Sequence, residues 1–517
     1  MSELCAYTQG TEVLAFFRSN DSPKGLRYVK VKDKSETFPI IGLSAGWLTG
    51  TIAEDFNPRS FDVSDPTTYV RISFSGIFRD SHGSVAESLC TGVSPYLIRK
   101  NTREKTPAVL SLFCVRWWDY WTNTRWSDYD ITNDAFFMDL FDGPCGVNAV
   151  LPGQYEMHTA WVKSSSDLAQ ISGELVKPLL KAPNISAFLF LWPSRRTNAD
   201  TKPGYICEHQ FFSMCQRLER SGIPCGWPHI AYLYRQLCGK LWVPQMCLHP
   251  DFKVPATTRV HYAEFAEQGE VAAEKAIGCL LELRKSSGIN TNAVSVSELK
   301  GVVKLGFSWM GDDVLPFCGV KSLTGVLKRL FNQPESNQIV CLVQEMVPNV
   351  VCELRVLCFH DAVKQDFVKE RLWVRMGRPG EVARHHEGCC DVPEFTLAST
   401  VVVPEKEVVT EFFNGSLAAM RSAMDAADDL VEQWLCWYCT ECPEPPSTTR
   451  LDFLVSYTPG KDAEVWSCEV SECGSSLCSV EVDARNMAVL NSAMRNDESG
   501  AFPKPLPSIK HNDSWKS

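Results

Sequence analysis

"LVQEMVPNVVCELRVL", residues 342–357, holds two apolar runs parted by a Pro-Asn pair. Pro348 lacks an amide hydrogen and Asn349 is a frequent turn former, so the chain is expected to leave one strand here and enter another. Gln344, Glu345, Met346 and Val347 close the first run. Glu353 and Arg355 stand two apart in the second, on one face of a strand with period two. Charges on one face of an apolar strand must border water, a partner charge or a ligand, because burying them alone is expensive. A surface Glu–Arg pair and the wall of a binding site both satisfy that condition.

Upstream, "GVVKLGFSWMGDD" (301–313) reads as an apolar strand that ends at Lys304 and runs into Gly306, Ser308 and Gly311. A lysine closing a strand is ordinarily a solvated end. Before a loop with two glycines and a serine it also suits phosphate, although no Walker spacing is present. Downstream, "RLDFLV" (450–455) carries Asp452, and "EVWSCEVSECG" (464–474) carries Glu469, Ser471 and Glu472. Hairpin-like "TPGKDAE" joins these two strands. Two neighbouring strands that each present a carboxylate form a hard oxygen site for Mg²⁺, or a pair of acids held by arginine and solvent. Period two places Glu469 and Ser471 on one face and Glu472 on the other, unless the strand breaks before Gly474.

The chain around these stretches has 517 residues, 44% hydrophobic and 22% charged, which is the composition of a folded protein of several domains. A net charge of -11 argues against nucleic acid as the partner. No run approaches the roughly 20 apolar residues that span a bilayer, and the N-terminus has neither the basic start nor the apolar core of a signal peptide. A cytoplasmic protein without a membrane partner is expected. The 22 cysteines lie scattered in apolar runs such as "RVLCFHD", as buried free thiols do.

Residues 1–150 alternate in short runs between turn formers and read as a β-rich region. Within it Trp117, Trp118, Tyr120, Trp121 and Trp126 suggest core or an aromatic platform. Residues 151–255 read as a small α/β domain with the strand "ISAFLFLWP" and two helices, before "HPDFKVPATTRV", which is expected to be extended. Helices are expected over 263–285 and, as one long amphipathic element, over 405–438. The stretch 256–495 carries the motifs above, and 496–517 reads as a loosely held tail.

Taken in order, Lys304 with its glycine loop, "VQEMV", Glu353-x-Arg355, Asp452 and Glu469-x-Ser471 resemble the ATP-grasp superfamily. The resemblance covers roughly residues 185–490. It implies an α/β (α+β) ATP-grasp fold preceded by a small α/β domain and the β-rich N-terminal region. It also implies that Lys304 reaches the α- and β-phosphates of ATP, with Gly306, Ser308 and Gly311 in the phosphate lid. Gln344, Glu345, Met346 and Val347 would line the adenine slot, and Glu353 would take the ribose. Asp452, Glu469 and Ser471, with Glu472 in reserve, would bind Mg²⁺, and Arg355 would sit near the transferred phosphate. The implied activity is carboxylate–amine ligation through an acyl phosphate, on small molecules or a protein acceptor. One departure matters: Ser471 stands where the family usually carries asparagine, and a hydroxyl is a shorter, poorer ligand. Glu472 or water then completes the site, or metal binding weakens. The alternative is a nucleotide-binding interaction or assembly protein with little or no ligase activity.

Cys436, Cys439 and Cys442, together with His385, His386, Cys389 and Cys390, could build a zinc site, but thiols beside Trp434, Trp437 and Tyr438 pack well as core, and a CxxC is common in a chain this rich in cysteine.

Overall fold

The computed structural model describes residues 6–18, 27–28, 40–62, 65–79, 85–101, 110–117, 155–162, 165–180, 184–189, 208–227, 230–237, 240–287, 294–306, 313–332, 340–361, 366–378, 392, 394–441 and 448–470. The chain divides into two compact units. One contains 1–201, 210–230 and 476–501; the other contains 202–209, 231–475 and 502–517.

The first unit is built on one ten-stranded sheet. Its strands are β1 (Glu12–Arg18), β2 (Arg27–Tyr28), β3 (Ile40–Ile52), β4 (Val70–Arg79), β5 (Val85–Val93), β6 (Ile98–Lys100), β7 (Leu110–Trp117), β8 (Tyr155–Val162), β9 (Asn184–Leu189) and β10 (Cys225–Trp227). The main path runs β10-β9-β7-β8-β3-β1-β6, with β4 pairing β2, β3 and β5. From β10 to β8 the strands are parallel; β3 joins β8 antiparallel. Strands on either side of residue 150 therefore share one sheet. Parallel strands need covered faces, and helices α1 (Gly173–Val176) and α2 (Glu208–Arg220) belong to this half. Phe211, Met214, Cys215 and Leu218 form the buried stripe of α2, as their three-four spacing requires. Trp118, Tyr120, Trp121 and Trp126 lie outside the described residues.

The second unit begins with α3 (Ala231–Leu237) and α4 (Val243–Met246). The segment after them is not wholly extended: Pro250 opens a 3-10 turn, Pro250–Phe252. Proline needs no amide donor at the first position of such a turn, and its fixed φ suits it. Four antiparallel strands follow, in the order β11-β14-β12-β13: β11 (Thr257–Val260), β12 (Lys300–Leu305), β13 (Val314–Cys318) and β14 (Cys341–Glu345). The expected helix over 263–285 is two, α5 (Tyr262–Gln268) and α6 (Glu270–Ser287), parted by Gly269 at φ +55°. With α7 (Gly319–Phe331), α6 packs on this sheet.

Five antiparallel strands complete the unit, in the order β17-β16-β15-β18-β19: β15 (Val350–Asp361), β16 (Asp366–Met376), β17 (Ala398–Val403), β18 (Thr448–Ser456) and β19 (Glu464–Val470). The long helix expected over 405–438 is broken. Asn414 (φ 50°) and Gly415 (φ 84°) are left-handed, ending α8 (Glu405–Phe412) before α9 (Leu417–Glu441) begins. An Asn-Gly pair adopts that conformation at little cost, and Cβ-bearing residues rarely do. One face of the sheet is tied to α8 and α9 by Lys369–Glu432, Arg371–Asp428 and Arg375–Glu411 ion pairs. Trp434 of α9 is fully buried between Trp242 and Phe252, with ring centroids 4.9 and 4.8 Å away. Among the described residues no helix is long and apolar enough to cross a membrane.

Candidate functional site

Residue parity divides the four-stranded sheet. Glu345 reaches Arg284 of α6 (Oε1–Nε 3.0 Å), so its face, with Val303 and Leu305, is the helix-covered one. Lys304, one residue out of phase and paired with Leu342, belongs to the opposite face. Gln344 shares that opposite face and donates from Nε2 to Thr257 Oγ1 at 2.8 Å. Burial raises the Glu345 carboxyl above its ordinary range, and Arg284 works against that rise. The amides of Glu345 and Met346 donate to Ala256 O (2.9 Å) and Lys300 O (3.2 Å). Met346 packs with Val302, Val392 and Phe395 in a small apolar cluster over the open face, near the Lys300–Glu394 ion pair.

The five-stranded sheet divides likewise. Directly paired residues in an antiparallel sheet share a face. Arg355 pairs with Asp452 and Asp452 with Glu469, so three adjacent strands set three charges in a row. Glu353 and Arg450 join the same face by their two-residue spacing. Arg355 Nε donates to Glu353 Oε1 at 2.6 Å, and Arg450 grips both oxygens of Asp452, at 2.9 and 2.8 Å.

A β-bulge decides where Glu469 points. Asp452 pairs with Glu469 but Phe453 pairs with Ser467, so Cys468 is an extra residue. Without it, Ser467 and Glu469 would share a face. With it, Ser467 turns to the helix side, where it accepts from Trp434 Nε1 (3.0 Å) and donates to Phe252 O (2.7 Å). Glu469 turns to the charged side, 3.6 Å from Lys240 Nζ. The bulge residue also meets the other sheet: Lys304 Nζ lies 3.9 Å from Cys468 Sγ. Two sheets and the turn that carries Lys240 thus bring Lys240, Lys304, Glu353, Arg355, Arg450, Asp452 and Glu469 into one charged cluster.

The electrostatics follow from that crowding. Glu353, 8% exposed, is raised to about 7 by burial and by the Asp452 charge, against the pull of Arg355. Burial would also raise Glu469, but Lys240, Arg450, Lys304 and Arg355 outweigh it and hold its carboxyl below the ordinary value. Burial opposes the charge on Arg450, yet Asp452, Glu469 and Glu353 keep its guanidinium more firmly protonated than usual. The Cys468 thiol is pushed up to about 12 by burial, with Lys304 pulling the other way. Perturbed carboxylates beside fixed cations mark a candidate functional site, and structural ion-pair networks produce the same perturbation.

Of the residues singled out in the sequence, Lys304, Glu353, Arg355, Asp452 and Glu469 come together. Gly306 follows β12 and donates its amide to Val340 O at 2.8 Å. Gln344 and Glu345 pair with Val302 and Gly301 towards the other end of that strand, and Met346 and Val347 follow them. Ser308, Gly311, Ser471 and Glu472 lie outside the described residues, as do His385, His386, Cys389, Cys390 and Cys442. Among the described residues no group of three or more His, Cys, Asp or Glu side chains could hold a metal ion unaided. Sequence reading missed three participants. Arg450 could have been found by its spacing to Asp452. Lys240, in a turn at φ 53°, and the bulged Cys468 carried no such signal.

No protein-family model matches the sequence, and no curated protein matches it. Solved structures are similar to it at low identity. D-cycloserine synthetase DcsG aligns at 15% identity and TM-score 0.41, over 74% of this chain and 98% of that one. D-alanyl-alanine synthetase A from Vibrio cholerae O1 biovar eltor str. N16961 aligns at 9% and 0.41, over 75% and 98%. N5-carboxyaminoimidazole ribonucleotide synthetase, solved as an ADP complex, aligns at 10% and 0.39, over 76% and 79%.

Proposed function

We propose that this chain is an ATP-dependent ligase that activates a carboxylate as an acyl phosphate for attack by an amine or similar nucleophile. One observation carries the reading: a lysine on the open face of one sheet meets, across Cys468, the Asp452–Glu469 pair of another. A nucleoside triphosphate needs cations and oxygen-ligated metal in that relation. Lys304 and Lys240 would meet phosphate oxygens, with Gly306, Ser308 and Gly311 in the covering loop. Gln344 to Val347 would border the base, Glu353 the ribose, and Arg355 the transferred phosphoryl group.

Asp452 and Glu469 would hold Mg²⁺, with Ser471 or Glu472 beyond them. The donors suit that ion: each Asp452 oxygen accepts one Arg450 N–H and keeps a second lone pair, and Glu469 stands opposite in register. Mg²⁺ takes one or two carboxylates and completes its shell with phosphate and water, and when bound it neutralises phosphate charge. In the reaction a carboxylate oxygen bonds the γ-phosphorus as the β–γ bridging bond breaks, its electron pair leaving with ADP. The nucleophile then bonds the acyl carbon, phosphate departs with its pair, and the nucleophile's proton goes to solvent. Small carboxylates and amines, or a protein acceptor, are the proposed substrates, and the cytoplasm the proposed compartment.

A second reading, a nucleotide-binding assembly protein without ligase turnover, is favoured by the Arg450 fork, with which Mg²⁺ must share Asp452. Calorimetric titration with Mg-ATP, followed by phosphate release over a panel of acids and amines, separates the two. Lys304→Ala and Asp452→Asn should each abolish turnover while leaving a folded protein; retained turnover in both would overturn the ligase mechanism. Heat of binding without phosphate release from any pair supports the second reading.

A further inference from the structure

Between β16 and β17 the chain leaves its own sheet and packs on the other. β16 stops at Met376 and β17 starts at Ala398. The Gly377 amide donates to Leu397 O at 2.7 Å, so the excursion leaves and returns at one place. Val392 and Phe395 on it are buried, at 2% and 9% exposure, although they belong to no strand or helix. They reach that burial against Val302 of β12, with Val314 and Cys318 of β13 and Met346, just past β14, packed round them. The Phe395 amide donates to Val392 O at 3.1 Å and closes a turn. Glu394, inside the turn, pairs with Lys300 at the start of β12. Val392 and residues 394–397 thus strap the five-stranded sheet to the four-stranded one.

Apolar burial fastens this strap more firmly than the ion pair does. Lys300 and Glu394 are 43% and 46% exposed, and pairs open to water contribute little. A buried phenylalanine, by contrast, leaves a cavity when it is cut back. What the strap holds is the end of β14. Met346 packs on it from the open face, and the Met346 amide donates to Lys300 O at 3.2 Å, beside the ion pair. Glu345, facing the other way, reaches Arg284 at 3.0 Å. The end of β14 is therefore clamped on both faces. Among the described residues the strap's cluster takes nothing from β11 or β14 themselves, so the half of the sheet that carries Gln344 and Thr257 stays outside it. Lys304 is held separately, by its pairing with Val314 and Leu342 and its approach to Cys468.

We propose that Phe395 and Val392 are positioning residues for the base end of the nucleotide site. Through Met346 they fix the end of β14 where a base would lie, and so set the site's preference for a nucleotide over bare triphosphate. The proposal rests on the ATP-dependent reading above. A fixed wall lowers the ordering cost of binding the base, whereas phosphates are recognised by charge.

The test is calorimetric titration of the full-length chain with Mg-ATP and with Mg-tripolyphosphate, which carries phosphates without base or ribose. The wild type should bind Mg-ATP at least about tenfold more tightly. Phe395→Ala should narrow that ratio at least about fivefold, through weaker Mg-ATP binding, with tripolyphosphate affinity unchanged to within about twofold. Phe395→Leu refills most of the volume and should restore most of the ratio. Glu394→Lys sets like charges together on an exposed turn, which keeps the test open if Phe395→Ala fails to fold, and should narrow the ratio by about threefold. Equal weakening of both ligands would mark Phe395 as structural only and overturn the proposal, as would a wild type without preference. A gain in Mg-ATP affinity would place the ring where the base belongs, and would overturn it too. A wild type that binds no Mg-ATP would remove the nucleotide reading itself. Variants that keep the ratio of a wild type that does bind it would remove the positioning role alone.

Discussion

Glu353 makes the stability of the second unit depend on pH in a direction opposite to that of most carboxylates. Its carboxyl is raised from an ordinary 4.5 to about 7, chiefly by burial and next by the Asp452 charge. Below 4.5 the group is protonated in both folded and unfolded chains, and its contribution is fully present. As pH rises from there, the unfolded chain releases the proton while the folded one keeps it, so stability falls until the folded group ionises near 7. At about 1.4 kcal/mol for each tenfold change in proton affinity, the loss amounts to about 3 kcal/mol. Glu353→Gln cannot ionise, keeps an acceptor for Arg355 Nε, and removes this dependence. Urea titrations read by hydrogen exchange in peptides spanning 350–361 report the sheet concerned. The difference, wild type minus variant, should decline by about 3 kcal/mol between pH 4.5 and 8. Curves that run parallel to within about 0.5 kcal/mol would refute the assignment of that proton to Glu353.

Two further outcomes are expected from packing. Gly301→Ala would set its Cβ 2.4 Å from the Phe317 ring and 2.5 Å from the Gln344 carbonyl oxygen. Because the carbonyl belongs to a neighbouring strand, relief requires the sheet to shift, and a loss of about 2–3 kcal/mol is expected; an unchanged calorimetric transition would contradict the register. Arg450→Met leaves Asp452, only 2% exposed, without its fork. Removing one partner of a buried pair should cost about 3 kcal/mol in urea at neutral pH, and a cost below about 1 kcal/mol would mean that other cations already hold Asp452.

Much of the charged cluster's geometry was legible because its elements are short apolar runs whose period is set by local chemistry. Glu353-x-Arg355 was read as one strand face, and the structure closes it with a 2.6 Å hydrogen bond. The Asp452–Glu469 pair was read across a hairpin and is in register. The bulge at Cys468 was not legible, since the extra residue is fixed by what lies on both sides of the sheet. Ser467 must reach Trp434 and Phe252 while Glu469 reaches Lys240, and no strand of strict period two can do both. Lys240 was hidden for a similar reason, as its partner stands at the far end of the unit's sequence. The broken helix was different: Asn414-Gly415 is a local stop, outweighed in reading by apolar spacing that continues on both sides of it.

The hydroxyl of Ser467 joins Phe252 to the last strand of its sheet across 215 residues of chain. A ribosome adding about 5–20 residues per second needs roughly 10–40 s to cover that interval. Throughout that time Trp242 and Phe252 have been made while β19, which carries Ser467 and Glu469, has not. Trp434 joins them only near the end, so the aromatic nest waits for its polar anchor. Such a wait exposes a large apolar surface on a nascent chain and invites chaperone capture. It also sets an order of events: Lys240 and Lys304 emerge without their opposing carboxylates, and the charged cluster assembles only when synthesis has passed residue 469.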